Sequence, residues 1–262
     1  MAVCFVFRQF LPLRFAFQLI ALAAILVGGT EIGLARVITP TGIRHIGTAV
    51  ETWGDEIRLI DGSGLNGALN SEADFNTVRH SSANPSRSWV TNAPNGGNGN
   101  DYFRPGGNGG TVIFELTLDQ RYTIDSVASW AYHFGSRNSN FAKTIRFDFS
   151  VDAGATFASN QTVDFAFPSN PNSAASVINL TPVDANFVRF EVIDNFFGSG
   201  VAGGDRVGLS ELRFGGEVSA VPEPSTLGLA ALLVAGMSAV VLRQSRIFAR
   251  NVGRCRLRNR CS

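Results

Sequence analysis

The middle of this chain has no cysteine. The three cysteines of the 262-residue sequence are Cys4, Cys255 and Cys261, and all of them lie outside residues 36–220. Disulfides therefore cannot crosslink that segment, and catalysis by a cysteine thiolate is excluded there. A segment of this length buries a full hydrophobic core without crosslinks, so we expect it to form one domain.

Lysine is almost missing as well, because Lys143 is the only one in the sequence. Residues 36–220 contain 13 Arg and Lys residues against 19 Asp and Glu residues, which gives the segment a net charge of −6. A negatively charged domain is repelled by polyanions. We therefore expect neither nucleic acid nor anionic lipid as its partner.

The spacings typical of catalytic sites are also missing. His45, His80 and His133 are isolated, without the His-x-x-x-His spacing of a zinc site. No Gly-x-Ser-x-Gly elbow is present, since the segment 208–212 lacks the second glycine. We predict that the protein is not an enzyme, and a hydrolase built from scattered carboxylates is the least favoured alternative.

A long apolar run lies near the C-terminus. Residues 225–242 are 18 residues without a charge, enough for a helix of about 27 Å, which just crosses the hydrocarbon core of a bilayer. Seven arginines and no acid follow in residues 243–262, and such an excess of cations marks the cytoplasmic side. We predict a transmembrane helix over 225–242 and a basic cytoplasmic tail over 243–262. The alternative is a buried helix of a globular domain.

The first 35 residues have the features of a secretory signal peptide. Arg8 and Arg14 supply the positive region, residues 15–29 are apolar, and Gly33 and Ala35 provide small residues for a cleavage site. We predict a signal peptide over residues 1–35. An uncleaved N-terminal anchor is the alternative.

A short motif precedes the apolar run near the C-terminus. It consists of Val221, Pro222, Glu223, Pro224 and Ser225. This motif, followed by an apolar helix and an arginine cluster, resembles the PEP-CTERM sorting signal of exported bacterial proteins. The resemblance implies processing by an exosortase, with a membrane-anchored precursor (N-out, C-in) and a mature form at the cell surface or outside the cell. The tail departs from the family pattern, because it is longer than the usual short basic end.

Between the two termini, apolar and other residues alternate with a period of two. This pattern occurs over 111–118, 144–151, 161–167 and 187–193, and it is typical of half-buried antiparallel strands. We predict an all-β antiparallel sandwich over 59–216. A lead-in over 36–58 would precede it, and a linker over 217–224 would follow.

Several short motifs follow one another along this segment in an order that can be compared with known domains. An Asp61-Gly62 turn comes first, then Trp89, then the strand and turn over 145–154, and finally the closing strand with Ser210, Glu211 and Leu212. The order resembles that of a discoidin, or galactose-binding-like, jelly roll, which implies that fold for the exported domain. Ala153 departs from the glycine-rich turn of the family.

The same resemblance implies a structural calcium ion. Its ligands would be Asp61, with help from Ser63 and turn carbonyls, and Glu211. Calcium prefers six to eight oxygen ligands, which such a set could supply. The alternative is a local turn formed by Asp61 and Ser63, with Glu211 paired to an arginine.

A ligand face of such a sandwich would lie on loops at one end. The candidate residues there are Tyr102, Arg104, His133, Phe134, Arg137, Phe196 and Phe197. The alternative is that the aromatic rings plug the core, and we expect Trp53, Trp89 and Trp130 in the core or at its edge. We predict an exported, non-catalytic module that binds carbohydrate or exopolysaccharide. The main alternative is a structural or adhesive surface protein without a small ligand.

Overall fold

The computed structural model of the chain describes residues 36–81, 87–97, 100–132, 139–168 and 172–219. Within these ranges two short 3-10 helices span Glu56–Leu59 and Glu72–Asn76. The strands are β1 (Arg36–Ile38), β2 (Gly42–His45), β3 (Glu51–Trp53), β4 (Trp89–Thr91), β5 (Val112–Trp130), β6 (Ala142–Ser150), β7 (Ser159–Asp164), β8 (Ser176–Asn195), β9 (Gly208–Leu209) and β10 (Glu211–Val218).

The strands form two antiparallel sheets. The larger sheet has seven strands in the order β1-β10-β5-β8-β6-β7, with β2 paired to β5, and the smaller has the order β3-β4-β9. Both β2 and β10 lie on the same side of β5, where β2 is opposite residues 114–117 and β10 is opposite residues 122–130. The prediction of an all-β, antiparallel domain is confirmed.

The two sheets share one hydrophobic core. Phe114 of β5 stacks on Phe190 of β8 with 4.9 Å between ring centroids, and Trp89 of β4 meets Phe114 edge-on at 4.8 Å. These aromatic contacts bury the facing sides of both sheets together. Trp89 and Trp130 are fully buried, as expected, whereas Trp53 is 40% exposed.

The predicted strands agree with the structure in place and differ in length. The stretches 111–118, 144–151 and 187–193 correspond to β5, β6 and β8, except that Thr111 and Val151 lie just outside β5 and β6. The stretch 161–167 leaves the sheet early, since β7 ends at Asp164, although the Phe165 N–H still donates to the Lys143 carbonyl at 2.9 Å. The strand β8 begins at Ser176, well before the predicted stretch.

The predicted signal peptide, the sorting motif, the transmembrane helix and the basic tail lie outside the described residues. In the part of the chain that the structure describes, no helix is long and apolar enough to cross a bilayer.

Candidate functional site

Two loops meet at one end of the larger sheet. Val112, the first residue of β5, lies opposite Val192 near the end of β8. The loop 92–111 leads into β5 and the loop 196–207 follows β8, so the antiparallel pairing places these two loops side by side. We call them together the loop end.

Tyr102 ties the two loops to each other. Its ring is buried, its hydroxyl donates to the Gly110 carbonyl at 3.0 Å, and its N–H donates to the Gly204 carbonyl at 2.8 Å. Burial raises the pKa of the Tyr102 hydroxyl. The Tyr102 side chain is therefore a fixed, uncharged part of the core. Its neighbours at the surface, rather than Tyr102 itself, are available to contact a ligand.

Asn95 holds the first loop in shape. Its side-chain Nδ2 donates to the carbonyls of Asp101 and Tyr102 at 2.9 and 3.2 Å, and its Oδ1 accepts from the Asn108 N–H at 2.7 Å. The turn is so close that a Cβ at Gly109 would stand 2.4 Å from the Tyr102 carbonyl oxygen. One amide thus fixes both arms of a loop that has no regular structure.

A shallow groove of about 230 Å³ lies between this loop and the last residues of β8. Its lining consists of Tyr102, Phe103, Arg104, Gly107, Gly109, Gly110, Thr111, Glu191, Val192 and Ile193.

The groove brings an aromatic ring, a cation and a carboxylate together. The Phe103 ring packs edge-on against the buried Tyr102 ring at 5.0 Å, which fixes it at the groove. Arg104 is exposed, and Glu191 is half-buried beside Arg146, with an Arg146 Nη2 to Glu191 Oε2 distance of 3.1 Å. The groove therefore offers an apolar ring in Phe103, a charged hydrogen-bond donor in Arg104 and a charged acceptor in Glu191.

Two of the three phenylalanines predicted as ligand residues, Phe196 and Phe197, lie on the second loop and do not line the groove. Phe196 stacks on Phe141 at 5.9 Å and meets Phe167 edge-on at 4.8 Å, so it is a structural plug. Phe197 is 41% exposed and lies against Gly204. The remaining predicted ligand residues, His133, Phe134 and Arg137, lie outside the described residues.

One exposed aromatic residue was not predicted as a ligand platform. The Arg206 guanidinium lies 4.9 Å from the ring centroid of Trp53 and also donates to the Thr91 carbonyl at 3.0 Å. Trp53 lies on β3, a strand too short to show a periodic pattern, so its exposure left no signal in the sequence. Phe103 and Glu191 were missed for a different reason, because only the fold brings residues so distant in sequence together.

The residues predicted to bind calcium are also close in space. Asp61 Oδ1 accepts from the Ser63 N–H at 2.8 Å, and Asp61 Oδ2 accepts from Arg58 Nη1 at 2.7 Å. Burial alone would raise the pKa of Asp61, but the hydrogen bonds from Ser63 and Arg58 outweigh it and lower that pKa. This is the local turn that was the alternative interpretation of Asp61 and Ser63.

Glu211 lies beneath the same turn. The Gly62 N–H points at its carboxylate, 3.1 Å from Oε2 and 3.3 Å from Oε1, and Arg213 forms a buried ion pair with it. Burial raises the pKa of Glu211 to about 8 and lowers that of Arg213, while the attraction between the two groups opposes both shifts.

These contacts do not fit a calcium ion. The Arg213 guanidinium binds the Glu211 carboxylate together with carbonyl oxygens of the turn, which are the oxygens that the ion would need. Among the described residues, no group of three or more His, Cys, Asp or Glu side chains is placed to hold a metal.

Comparison with known protein families identifies the C-terminal signal. Residues 220–246 match the PEP-CTERM protein-sorting motif. The chain therefore carries this sorting signal, as its sequence predicted, and the motif implies an exported protein. A search of curated proteins finds no match.

Among solved structures, the neighbours include modules of carbohydrate-active proteins. One is CBM32-3 from a family 31 glycoside hydrolase of Clostridium perfringens, with 15% identity, a TM-score of 0.43 and coverage of 69% of this chain and 95% of the other. Another is the family 32 CBM of C. perfringens NanJ in complex with galactose, with 15% identity, a TM-score of 0.40 and coverage of 70% and 99%. A third is the C-terminal domain of a chitobiase from Bacteroides fragilis, with 20% identity, a TM-score of 0.41 and coverage of 70% and 99%.

Proposed function

We propose that the exported domain is a non-catalytic carbohydrate-binding module that holds its sugar in the groove between the loop 92–111 and the end of β8. The single observation that carries this proposal is the convergence of Phe103, Arg104 and Glu191 on one small groove.

The chemistry of the groove suits a sugar ring. A pyranose has an apolar face, which packs on an aromatic ring, and hydroxyls that both donate and accept hydrogen bonds. Arg104 would donate to ring or hydroxyl oxygens, and the Glu191 carboxylate would accept from hydroxyls. At about 230 Å³ the groove is smaller than the usual pocket for a drug-sized ligand. It is therefore suited to one or two sugar units of a longer chain.

Sorting would bring this module to the extracellular polysaccharide. In our proposal the precursor is anchored by a helix over 225–242 with its basic tail in the cytoplasm, and an exosortase cuts near the motif. The net charge of −6 on residues 36–220 favours neutral or weakly charged glycans over strongly acidic polymers.

The full-length protein should bind on an array of neutral oligosaccharides that contain galactose or N-acetylhexosamines. Arg104→Ala and Phe103→Ala should each weaken the binding about tenfold or more, because each removes one recognition element of the groove. Titration calorimetry with the best-bound oligosaccharide measures the effect.

Arg44→Ala is the matched control. Arg44 is an exposed arginine of β2, away from the groove, where it pairs with Glu115 at 2.5 Å. Its removal should leave the affinity unchanged. Equal losses from Arg44→Ala and Arg104→Ala, or full affinity in both groove variants, would contradict the proposed site.

The alternative of a structural or adhesive surface protein makes an opposite prediction. Trp53 and Phe197 are partly exposed apolar rings that protein partners could cover. No binding to any oligosaccharide, together with concentration-dependent self-association in sedimentation, would favour that function.

A further inference from the structure

The Arg213 side chain is inserted between the closing strand β10 and the turn around Gly62. Its Nη2 donates to the Ile60 carbonyl at 2.7 Å, and its Nη1 donates to the Leu212 carbonyl at 2.8 Å and lies 3.5 Å from the Leu59 carbonyl oxygen. The same Nη1 forms the ion pair with Glu211. Carbonyl and carboxylate oxygens from two separate chain segments thus converge on one guanidinium.

A mixed set of carbonyl and carboxylate oxygens is what a hard metal cation uses as ligands. Here a covalently attached cation occupies the middle of the set. Because the guanidinium is planar and always charged, it can meet several oxygens at once from a fixed position.

The pair is almost fully sealed from solvent. The side chains of Arg213 and Glu211 are 5% and 0% exposed. A buried charge is tolerated when it is paired and hydrogen-bonded, and here each group has the other as its partner and makes further hydrogen bonds to the backbone. Asp61 adds further negative charge near both of them, which also favours a cation at this position.

The turn is held to β10 through this centre. Gly62 has a φ of +70°, and its N–H donates to the Glu211 carboxylate while Arg213 donates to the Ile60 carbonyl and lies near that of Leu59. One ion pair therefore binds both a donor of the turn and the carbonyls of the segment that leads into it.

We propose that the Arg213 guanidinium is a built-in cation that performs the structural role of a bound metal ion, so that the domain folds without divalent cations. Replacing its charge with a neutral side chain of similar length would leave Glu211 and the turn carbonyls without a cation, while Asp61 would keep its ion pair with Arg58. A divalent cation could then substitute for it.

The test is thermal unfolding of the full-length chain in excess EDTA and in millimolar CaCl₂, at one fixed pH. The wild-type Tm should be the same in both. Arg213→Met should lower the Tm in EDTA by about 10 °C, because it leaves a buried carboxylate unpaired. CaCl₂ should recover a large part of that loss.

Arg213→Lys is the second variant, in case Arg213→Met does not fold. It keeps the charge but loses the planar set of donors, so its Tm should fall less than that of Arg213→Met and respond less to calcium. A wild-type Tm that rises in CaCl₂ would overturn the proposal. The proposal would also be overturned if calcium raised the Tm of Arg213→Met no more than that of the wild type. If Arg213→Met does not fold, the same result for Arg213→Lys would overturn it.

Discussion

His80 is a buried histidine whose ring leaves no room for a larger residue at Gly64. It is 2% exposed, and its Nε2 has no hydrogen-bond partner among the described residues. A Cβ at Gly64 would stand 1.7 Å from this atom, so the ring fits only because glycine is there. Burial lowers the pKa of His80 from 6.5 to about 4.

This shift makes stability depend on pH in a definite direction. The unfolded chain binds a proton at His80 near pH 6.5 and the folded chain only near pH 4, so stability is present above pH 6.5 and is lost as the pH falls towards 4. The loss should reach about 3 kcal/mol. Urea unfolding over this range should show a flatter dependence in His80→Asn than in the wild type.

His45→Asn is the control for that measurement. The pKa of His45 is also lowered by burial, but this histidine is less buried, so its replacement should flatten the curve less. A His80→Asn variant with the same slope as the wild type would show that His80 is protonated in the folded state.

Single residues also show what sequence could reveal about the site. Asp61 and Glu211 were expected to be neighbours, and they are linked through the Gly62 N–H. Glu211 and Arg213 are two residues apart on one strand, so they point to the same face, and this spacing is visible in the sequence. It was harder to predict that the cation beside Glu211 is Arg213 and not a metal ion. The contacts between Arg213 and the turn carbonyls join residues that are far apart in sequence, so only the fold shows them.

At the scale of the elements, strands β5 and β8 were only partly predictable. Their pairing contains register shifts between Thr117 and Tyr122 and between Ile124 and Ser126. Each shift interrupts the period of two, so the pattern breaks although the strand continues. Pro182 lies in the second irregular region of β8, opposite no partner in the register, where a proline is tolerated.

The first loop of the loop end is held by the side-chain amide of Asn95 rather than by a repeating backbone pattern. Asn95→Ala removes three hydrogen bonds that close the loop. We expect a loss of about 1–3 kcal/mol in the free energy of unfolding, since the buried carbonyls lose their donors. Hydrogen exchange at the Asn108 amide should become faster, and sugar affinity in the groove should fall with it.

Asn100→Ala provides a matched change in the same loop. Among the described residues, its side chain makes one long hydrogen bond, 3.4 Å from Nδ2 to the Gly96 carbonyl oxygen. The Asn100→Ala substitution should therefore leave hydrogen exchange at the Asn108 amide unaffected. If the Asn108 amide exchanges as slowly in both variants as in the wild type, the loop is held by other contacts and Asn95 has no special role.

At the scale of the whole molecule, charge is divided along the chain. Residues 36–220 carry a net charge of −6, and residues 243–262 contain seven arginines and no acid. This separation was visible in the sequence, because it needs no knowledge of the fold. The sorting motif was predictable for the same reason, since its residues are consecutive.

The proposed export route predicts a shortened mature protein. Mass spectrometry of the protein from the cell surface or medium should find a chain that begins after Ala35 and ends near the motif at Val221–Ser225. The full-length mass in that fraction would contradict processing at both ends. A mass that lacks only the N-terminal segment would mean that the signal peptide is removed while the C-terminal anchor is kept.

The order of the strands has a consequence for how the chain matures. Among the strands that the structure describes, the first, β1, pairs only with the last, β10, through contacts such as Arg36 with Gly216. If the proposed export route threads the chain through a membrane pore with its N-terminus first, this edge cannot be completed until nearly all of the domain has emerged. Such non-local pairing forms slowly, so we expect the edge between β1 and β10 to be among the last parts of the domain to form.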